Sequence, residues 1–158
     1  MGNFKNINLV NFRNFENKSL SFSNNCNVLF GKNGSGKTNI LEAVSLFSKG
    51  KGLRKDKILN IIKKNYDKFT IASQFENQKV IYDLVSKSQA INNKVKKVLF
   101  VNDDKNIETL NNFYELVPFL IFLPETERLF LSSPSNRRNF IDQLIFTYNN
   151  QYNKLINS

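Results

Sequence analysis

Histidine is absent from the sequence, and cysteine occurs only once, as Cys26. The lack of histidine removes imidazole acid–base chemistry and the commonest protein ligand of transition metals. A single cysteine cannot form an internal disulfide and is too few for a cysteine-based metal site. The sequence therefore argues against chemistry that depends on either residue type.

Targeting and membrane signals are also lacking. The N-terminus shows no signal-peptide pattern. Gly2 follows the first methionine, but Asn6 stands where a myristoylation motif requires Ser or Thr. The longest apolar run, residues 117–123, is far shorter than the ~20 residues that span a bilayer. We expect a cytoplasmic protein that makes no membrane contact.

Acidic residues are outnumbered, 13 against 23 Lys and Arg, which gives a net charge of +10 and a pI of about 9.7. Such a chain suits a polyanionic partner such as nucleic acid or an acidic membrane surface. Lysine spread over a solvated surface is an equally good explanation. With 158 residues, 41% of them hydrophobic, the chain is one ordinary domain or part of a larger one.

Arginine is scarce in this basic chain, with five residues against 18 lysines. In a composition that favours lysine, arginine is expected where its planar fork is needed for a phosphate or a carboxylate. The five are Arg13, Arg54, Arg128, Arg137 and Arg138.

One motif carries specific chemistry. Residues 31–38 fit the pattern G-x-x-x-x-G-K-[ST], between an apolar run and an apolar-periodic segment that begins at Ile40. Glycines allow the backbone N–H groups to surround a phosphate, and the following helix points its positive end at the same place. Lys37 supplies a charge for the β and γ phosphates, and Thr38 a hydroxyl ligand for Mg²⁺. The predicted site consists of Gly31, Lys32, Asn33, Gly34, Ser35, Gly36, Lys37 and Thr38. A glycine-rich surface turn is the weaker alternative.

Hydrophobic periodicity and turn residues predict the remaining elements. The predicted strands are residues 4–10, 18–23, 27–30, a hairpin of 68–75 and 79–85, then 94–101 and a buried strand 117–123. The predicted helices are residues 37–48, 55–64 and 107–116, and one from Pro134 onward with Ser133 as N-cap.

Residues 98–104 imitate the strand that carries the Mg²⁺-side aspartate of a phosphate-loop ATPase. They contain four apolar residues, then Asn102, Asp103 and Asp104. Because an Asn-Asp-Asp-Lys group is also a strong turn signal, we interpret this stretch as the end of a local β region with solvated aspartates.

Four motifs together resemble the RecF family of bacterial recombination-repair ATPases, whose relatives are the SMC-type ABC ATPase heads. They are N-F-R-N-F near the start, F-G-K-N-G-S-G-K-T-N-I-L-E-A, K-G-K-G-L-R, and F-L-P-E-T-E-R-L-F-L-S-S-P-S-N-R-R-N-F-I-D. The resemblance implies an α/β fold of the P-loop NTPase class. Residues 1–133 would form lobe I, a mixed sheet around the loop helix with a β-meander at about 66–107. Residues 134–158 would be the truncated first helix of a helical lobe II.

The resemblance also implies roles for individual residues. Residues 31–38 would bind ATP with Mg²⁺ on Thr38, Arg13 would contact nucleotide phosphates, and Asn39 would approach the α-phosphate. Glu125 would lie at the Mg²⁺ and water side of the site, although Thr126 departs from the family's usual Asp. Arg137 and Arg138 would begin the second lobe, where pairing with Glu125, Glu127 or Asp142 is as reasonable as DNA contact.

The family pattern is incomplete in these 158 residues, because the ABC signature and the Asp-ending strand are not found. Whether the chain hydrolyses ATP therefore stays open. The resemblance implies that the protein binds DNA with single-strand/duplex junctions and recombination mediator proteins, and that it forms an ATP-dependent homodimer. It also implies a role in recombinase loading and the SOS response. The alternatives are a small P-loop phosphotransferase, such as a nucleotide kinase, and a non-catalytic remnant.

Overall fold

The computed structural model describes residues 2–91, 94–117, 119–122 and 133–148. The chain divides into two compact units, Met1–Leu116 and Val117–Ser158. The predicted lobe boundary at residue 133 follows a stretch outside the described residues and stays a prediction. No helix among the described residues is both long enough and apolar enough to cross a membrane.

The first unit is built on one six-stranded sheet. Its strands are β1 (Asn3–Phe4), β2 (Asn6–Phe12), β3 (Phe15–Ser21), β4 (Thr70–Asn77), β5 (Val80–Ile91) and β6 (Lys94–Val101). They lie in the order β3-β2-β4-β5-β6, with β1 beside β4, and every pairing among the described residues is antiparallel. The predicted meander therefore joins the N-terminal hairpin in a single sheet.

Alternation along most of β2, β4, β5 and β6 gives the sheet one buried and one open face. The buried face carries Ile7, Leu9, Ile71, Phe75, Leu84, Leu99 and Val101, each at most 3% exposed. Asn11, with φ 53°, interrupts the alternation, and Phe12 is fully buried next to Phe69. Asparagine tolerates this left-handed conformation better than most residues.

The helices of the first unit are α1 (Lys37–Ser45), α2 (Ile58–Ile61) and α3 (Ile107–Leu116). Phe47, just beyond α1, stacks on Phe4, and Phe113 of α3 meets Phe75 edge to face, so the chain around both helices packs on the buried face. The predicted helix 55–64 is much shorter than expected. Only Ile61 and Ile62 at its end are buried, and Leu59 is 65% exposed, so packing supports a single turn.

Two tight turns confirm the predicted β region. Gln78 and Lys79 both have positive φ, 50° and 67°, as a two-residue type I′ hairpin requires. Asn102 and Asp103 form the turn after β6, also with positive φ. Asp104 then accepts hydrogen bonds from the Thr109 hydroxyl and the Asn106 amide, which lower the pKa of its carboxyl group. The aspartates after β6 thus close the sheet, as predicted, but Asp104 is half-buried and bonds to the start of α3.

Two predicted strands are wrong. Residues 27–30 form no strand, and Val28 and Phe30 are 76% and 92% exposed. In the second unit, residues 119–122 also lie outside any strand, and Phe122 is 67% exposed. A strand needs a neighbour to pair its backbone groups, and no described strand pairs with either segment. Pro118 and Leu123 lie outside the described residues.

The second unit contains α4 (Pro134–Tyr148). The Ser133 hydroxyl accepts from the Asn136 amide at 3.4 Å, and the Ser133 carbonyl accepts from the Arg137 amide at 3.2 Å. The predicted N-cap is therefore confirmed. Residues 149–158, which the prediction also placed in this helix, lie outside the described residues.

Candidate nucleotide site at the phosphate loop

The phosphate loop, residues 31–38, depends on its three glycines for its shape. Gly31, Gly34 and Gly36 have φ values of 146°, 80° and 96°, in the region that residues with a side chain seldom adopt. Gly36 is also the N-cap of α1, and its carbonyl accepts the Ile40 amide at 3.0 Å. The loop thus leads directly into the positive end of a helix, which favours a bound anion.

Lys37 folds back over this loop. Its ammonium group donates to the carbonyls of Gly31 at 2.8 Å and Lys32 at 2.9 Å. These bonds hold the Lys37 ammonium group at the loop, on neutral carbonyl oxygens. The ammonium group remains available to exchange these neutral acceptors for phosphate oxygens, which bind it more strongly.

The remaining residues of the loop are open to solvent. Lys32, Asn33, Ser35 and Thr38 are all exposed, and the Ser35 amide donates to the Lys32 carbonyl at 3.2 Å. An exposed hydroxyl at the first turn of α1 is free to take a place in a Mg²⁺ shell, which is otherwise filled by water and phosphate. Among the described residues no cluster of three or more Asp, Glu, Cys or His surrounds a metal position. Thr38 therefore fits a Mg²⁺ ion held mainly by the nucleotide.

The turn between β2 and β3 packs against the end of the phosphate loop and the start of α1. A Cβ atom added to Gly36 would lie 2.4 Å from Phe15 Cζ and 3.0 Å from the Asn14 side chain. The side-chain nitrogen Nδ2 of Asn39 donates to Asn14 Oδ1 at 2.8 Å. The N-F-R-N-F motif is therefore in contact with the start of α1, and only a glycine leaves room for it at position 36.

Arg13 is fixed in the same turn by carboxylates. Its backbone is left-handed, with φ 53°. Its Nε donates to Glu42 Oε2 at 2.8 Å, and Nη2 donates to Glu42 Oε1 at 2.5 Å and to Asp56 Oδ2 at 2.6 Å. Nη1 donates to the Asn60 carbonyl at 2.8 Å. Four of the five N–H donors of the guanidinium group are thus occupied.

Glu42 is the centre of this network. It lies on α1, five residues after Lys37, and only 1% of it is exposed. Besides Arg13 it accepts from Arg54 Nη1 at 3.1 Å, and the same nitrogen donates to Asn39 Oδ1 at 2.9 Å. A buried carboxylate requires such partners, because desolvation is costly unless charge and hydrogen bonds compensate it.

The network shifts the titration of its members in the expected directions. The hydrogen bonds that Arg13 donates to Glu42 raise the pKa of Arg13, and burial opposes this only in part. Arg13 in turn lowers the pKa of the Asp56 carboxyl below its usual 3.8. Arg13 and Asp56 are therefore both held in their charged forms at neutral pH.

The far end of α1 is fixed by Lys97 of β6. Its ammonium group donates to the carbonyls of Leu46, Ser48 and Gly50, at 2.9, 3.2 and 2.9 Å. Burial lowers the pKa of Lys97 to about 8. A cation at the carboxyl end of a helix satisfies carbonyls that have no partner within the helix.

The Asn39 side chain and the turn that carries Arg13 lie beside the start of α1, but the Arg13 side chain is bonded to Glu42 and Asp56 and not to the loop. The structure also adds three groups that the sequence did not indicate. Glu42, Asp56 and Lys97 looked like ordinary surface charges. The scarcity of arginine was the available signal for Glu42, since Arg13 and Arg54 both turn out to contact this carboxylate.

Other predicted site residues lie outside the described residues or in the second unit. Glu125, Thr126 and Glu127 lie outside the described residues. Arg137 and Arg138 are exposed on α4 in the second unit. Their roles, and that of Arg13 towards a nucleotide, stay predictions.

Comparison with known proteins is consistent across sequence and structure. A model of the RecF/RecN/SMC N terminal domain family matches residues 3–113. The DNA replication and repair protein RecF of Rickettsia typhi is 34% identical over 152 residues, which are 96% of this chain and 41% of that relative. The RecF protein of Rickettsia conorii is 32% identical over 151 residues, again 41% of its length. The chain thus spans about two fifths of the length of these curated relatives.

Two solved structures are similar. One is described as the recombination mediator protein RecF-ATPrS in the RecFOR pathway; it has a TM-score of 0.70, 30% identity, and coverage of 91% of this chain and 38% of the solved one. The other, described as RecF-ATP, has a TM-score of 0.69, 27% identity, and coverage of 92% and 39%.

Proposed function

Because this chain belongs to the RecF/RecN/SMC N terminal domain family, we propose that it binds ATP with Mg²⁺ at its phosphate loop. It would act in the cytoplasm within DNA replication and recombinational repair, as the names of its RecF relatives suggest. The observation that carries this proposal is the loop itself: three positive-φ glycines, the N-terminus of α1, and Lys37 held by neutral carbonyls.

Each part of the loop has a defined task towards a triphosphate. The backbone N–H groups of residues 31–36 and the end of α1 receive the phosphate oxygens. Lys37 leaves the carbonyls of Gly31 and Lys32 for the β and γ phosphates, and Thr38 contributes its hydroxyl oxygen to Mg²⁺. The solved relative that carries ATP in its name supports this choice of nucleotide.

Hydrolysis is a separate matter, because it requires a carboxylate that orients the attacking water. Two acidic groups of the first unit, Glu42 on α1 and Asp56, are both engaged by arginine. We therefore expect the 158-residue chain to bind ATP with little or no turnover.

The larger activity belongs to the proposal as well. Within a protein of the RecF type, ATP-dependent pairing of two copies would hold DNA near single-strand/duplex junctions. Recombination mediator proteins would then load the recombinase and support the SOS response. The net charge of +10 supports the DNA contact, since phosphate attracts basic proteins regardless of sequence.

The test is ATP·Mg²⁺ binding and hydrolysis by this chain beside Lys37→Ala, with Lys105→Ala, at an exposed position outside the site, as the control of equal charge. Loss of a charge-assisted hydrogen bond should weaken binding at least about tenfold in Lys37→Ala. The control should bind within about twofold of the unchanged chain. Equal affinity of both variants would refute the site. Transfer of phosphate to a nucleoside monophosphate would favour a nucleotide kinase instead.

A further inference from the structure

One face of the sheet carries no helix of the first unit. Its side chains are the alternate residues Asn8, Val10, Thr70, Ala72, Val85, Lys87, Gln89, Lys94, Lys96, Val98 and Phe100, which we call the open face. All of them are exposed or half-buried, whereas most of their neighbours along the strands are buried against the helices. The helices and most of the core lie on the other side, so this face is accessible within its unit.

Three lysines gather at one end of the open face. Lys87 on β5 lies opposite Val98, while Lys96 lies opposite Gln89 and Lys94 opposite Ile91. Lys96 is thus diagonal to Lys87, and Lys94 is two residues further along β6. Neighbouring positions of this kind are about 7 Å apart. We call these three residues the lysine patch.

Two carboxylates, Asp83 and Glu76, lie on the same side of the sheet, at the end opposite to the lysine patch. Asp83 pairs in register with Gln74 and accepts a hydrogen bond from the Gln74 side chain. Glu76 forms a salt bridge with Lys5. Neither acid neutralises the lysine patch, so the face is positive at one end and its charges are separated along the strands.

The surface beside Lys87, on the side away from Lys96, is apolar. The Lys87 ammonium group lies 4.5 Å from the centre of the Phe100 ring, which restrains this side chain by a cation–π contact. Val85 and Val98 flank the ring and are half-buried. A pre-positioned lysine loses little side-chain entropy when it meets an anion.

We propose that the lysine patch on the open face contacts the sugar–phosphate backbone of DNA. This inference rests on the proposed function, because it assigns a surface to the DNA partner. Duplex DNA presents a charge every 3.4 Å along each strand, so three lysines at sheet positions about 7 Å apart can reach separate phosphates of one strand. Because the lysines would contact phosphate groups and not bases, this contact would not depend on the base sequence.

The test measures the affinity of the 158-residue chain for a labelled 20-base-pair duplex at several salt concentrations. The variant carries Lys87→Gln, Lys94→Gln and Lys96→Gln. The control carries Lys18→Gln, Lys79→Gln and Lys105→Gln, which remove the same charge from exposed positions elsewhere on the unit. ATP binding and thermal unfolding of both variants check that the fold and the nucleotide site are intact.

The patch variant should bind at least about tenfold more weakly than the control at low salt. Its slope of log affinity against log salt should fall by roughly 2 to 3, near 0.9 for each DNA phosphate that the variant no longer neutralises. A third variant with arginine at the three positions should retain binding. Equal weakening in variant and control would overturn the patch while DNA binding stands. Absence of DNA binding by the unchanged chain would overturn both the patch and the DNA part of the proposed function.

Discussion

The sheet and the phosphate-loop segment, residues 27–38, belong to the same unit but are stabilised in different ways. Each strand of the sheet is paired with a described neighbour, and the buried face is covered by residues around α1 and α3. The loop segment is largely exposed, includes the exposed Val28 and Phe30, and keeps its shape through glycines and a few backbone bonds. The strands are held by pairing with one another, whereas the loop is arranged for a ligand.

The difference reflects where each region obtains its hydrogen bonds. An antiparallel hairpin satisfies its backbone groups with residues close in sequence. A phosphate loop leaves N–H groups without protein partners, and an anion satisfies them when it binds. Glu42, Arg13 and Arg54 form a network that connects the turn between β2 and β3 to α1, the helix that follows the loop. Substitutions in this network should therefore affect the stability of both regions.

The largest effect is expected from Glu42→Ala. Its removal leaves Arg13 and Arg54 beside each other without their shared carboxylate, which should lower the free energy of unfolding by about 3–5 kcal/mol. Urea unfolding followed by circular dichroism measures this, with the milder Glu42→Gln as a second variant. The matched control is Glu76→Ala, whose surface pair with Lys5 should contribute less than about 1 kcal/mol. Similar losses at both positions would show that the network does not join the two regions.

The second-largest effect is the loss of stability in Gly36→Ala, which should exceed the loss in Gly34→Ala. Gly36→Ala combines a left-handed backbone with a Cβ atom 2.4 Å from Phe15, and should destabilise the chain by about 3 kcal/mol. Gly34→Ala has the same kind of backbone strain, but no atom lies within 4 Å of its added Cβ. It should cost about 1 kcal/mol. Equal costs, measured by thermal unfolding, would contradict the packing of the N-F-R-N-F turn against the loop.

The smallest effect is expected from Phe30→Ser, just before the loop. Phe30 is 92% exposed, so its loss should change the free energy of unfolding by less than about 0.5 kcal/mol. Phe75→Ser on the buried face of the sheet is the contrasting variant and should prevent stable folding or cost several kcal/mol. A large loss for Phe30→Ser would mean that the segment before the loop is packed after all.

Much of the sheet could be predicted from the sequence, because alternation and turn residues act over short distances. Strand β6 and helix α3 were predicted at their observed bounds and β4 within two residues of them, whereas β5 extends six residues beyond the predicted 79–85. The glycine-lysine-threonine pattern likewise located the loop. These signals are local, so they do not depend on how distant segments meet.

The incorrect or missing predictions all depend on distant contacts. An apolar run such as residues 27–30 indicates a strand only if a partner strand pairs with it, and none does among the described residues. The role of Glu42 required knowing that residues 13, 42, 54 and 56 converge. Lys97 appeared to be one of many surface lysines until β6 was placed against the end of α1.

Amide hydrogen exchange with and without ATP·Mg²⁺ would test the contrast between sheet and loop most directly. In the free chain we expect strong protection in β2, β4 and β5 and rapid exchange across residues 31–36. Added ATP·Mg²⁺ should slow exchange in the loop and at the start of α1, leave the sheet unchanged, and have no effect in Lys37→Ala. Unchanged exchange in the loop of a folded chain at saturating ATP·Mg²⁺ would contradict the account.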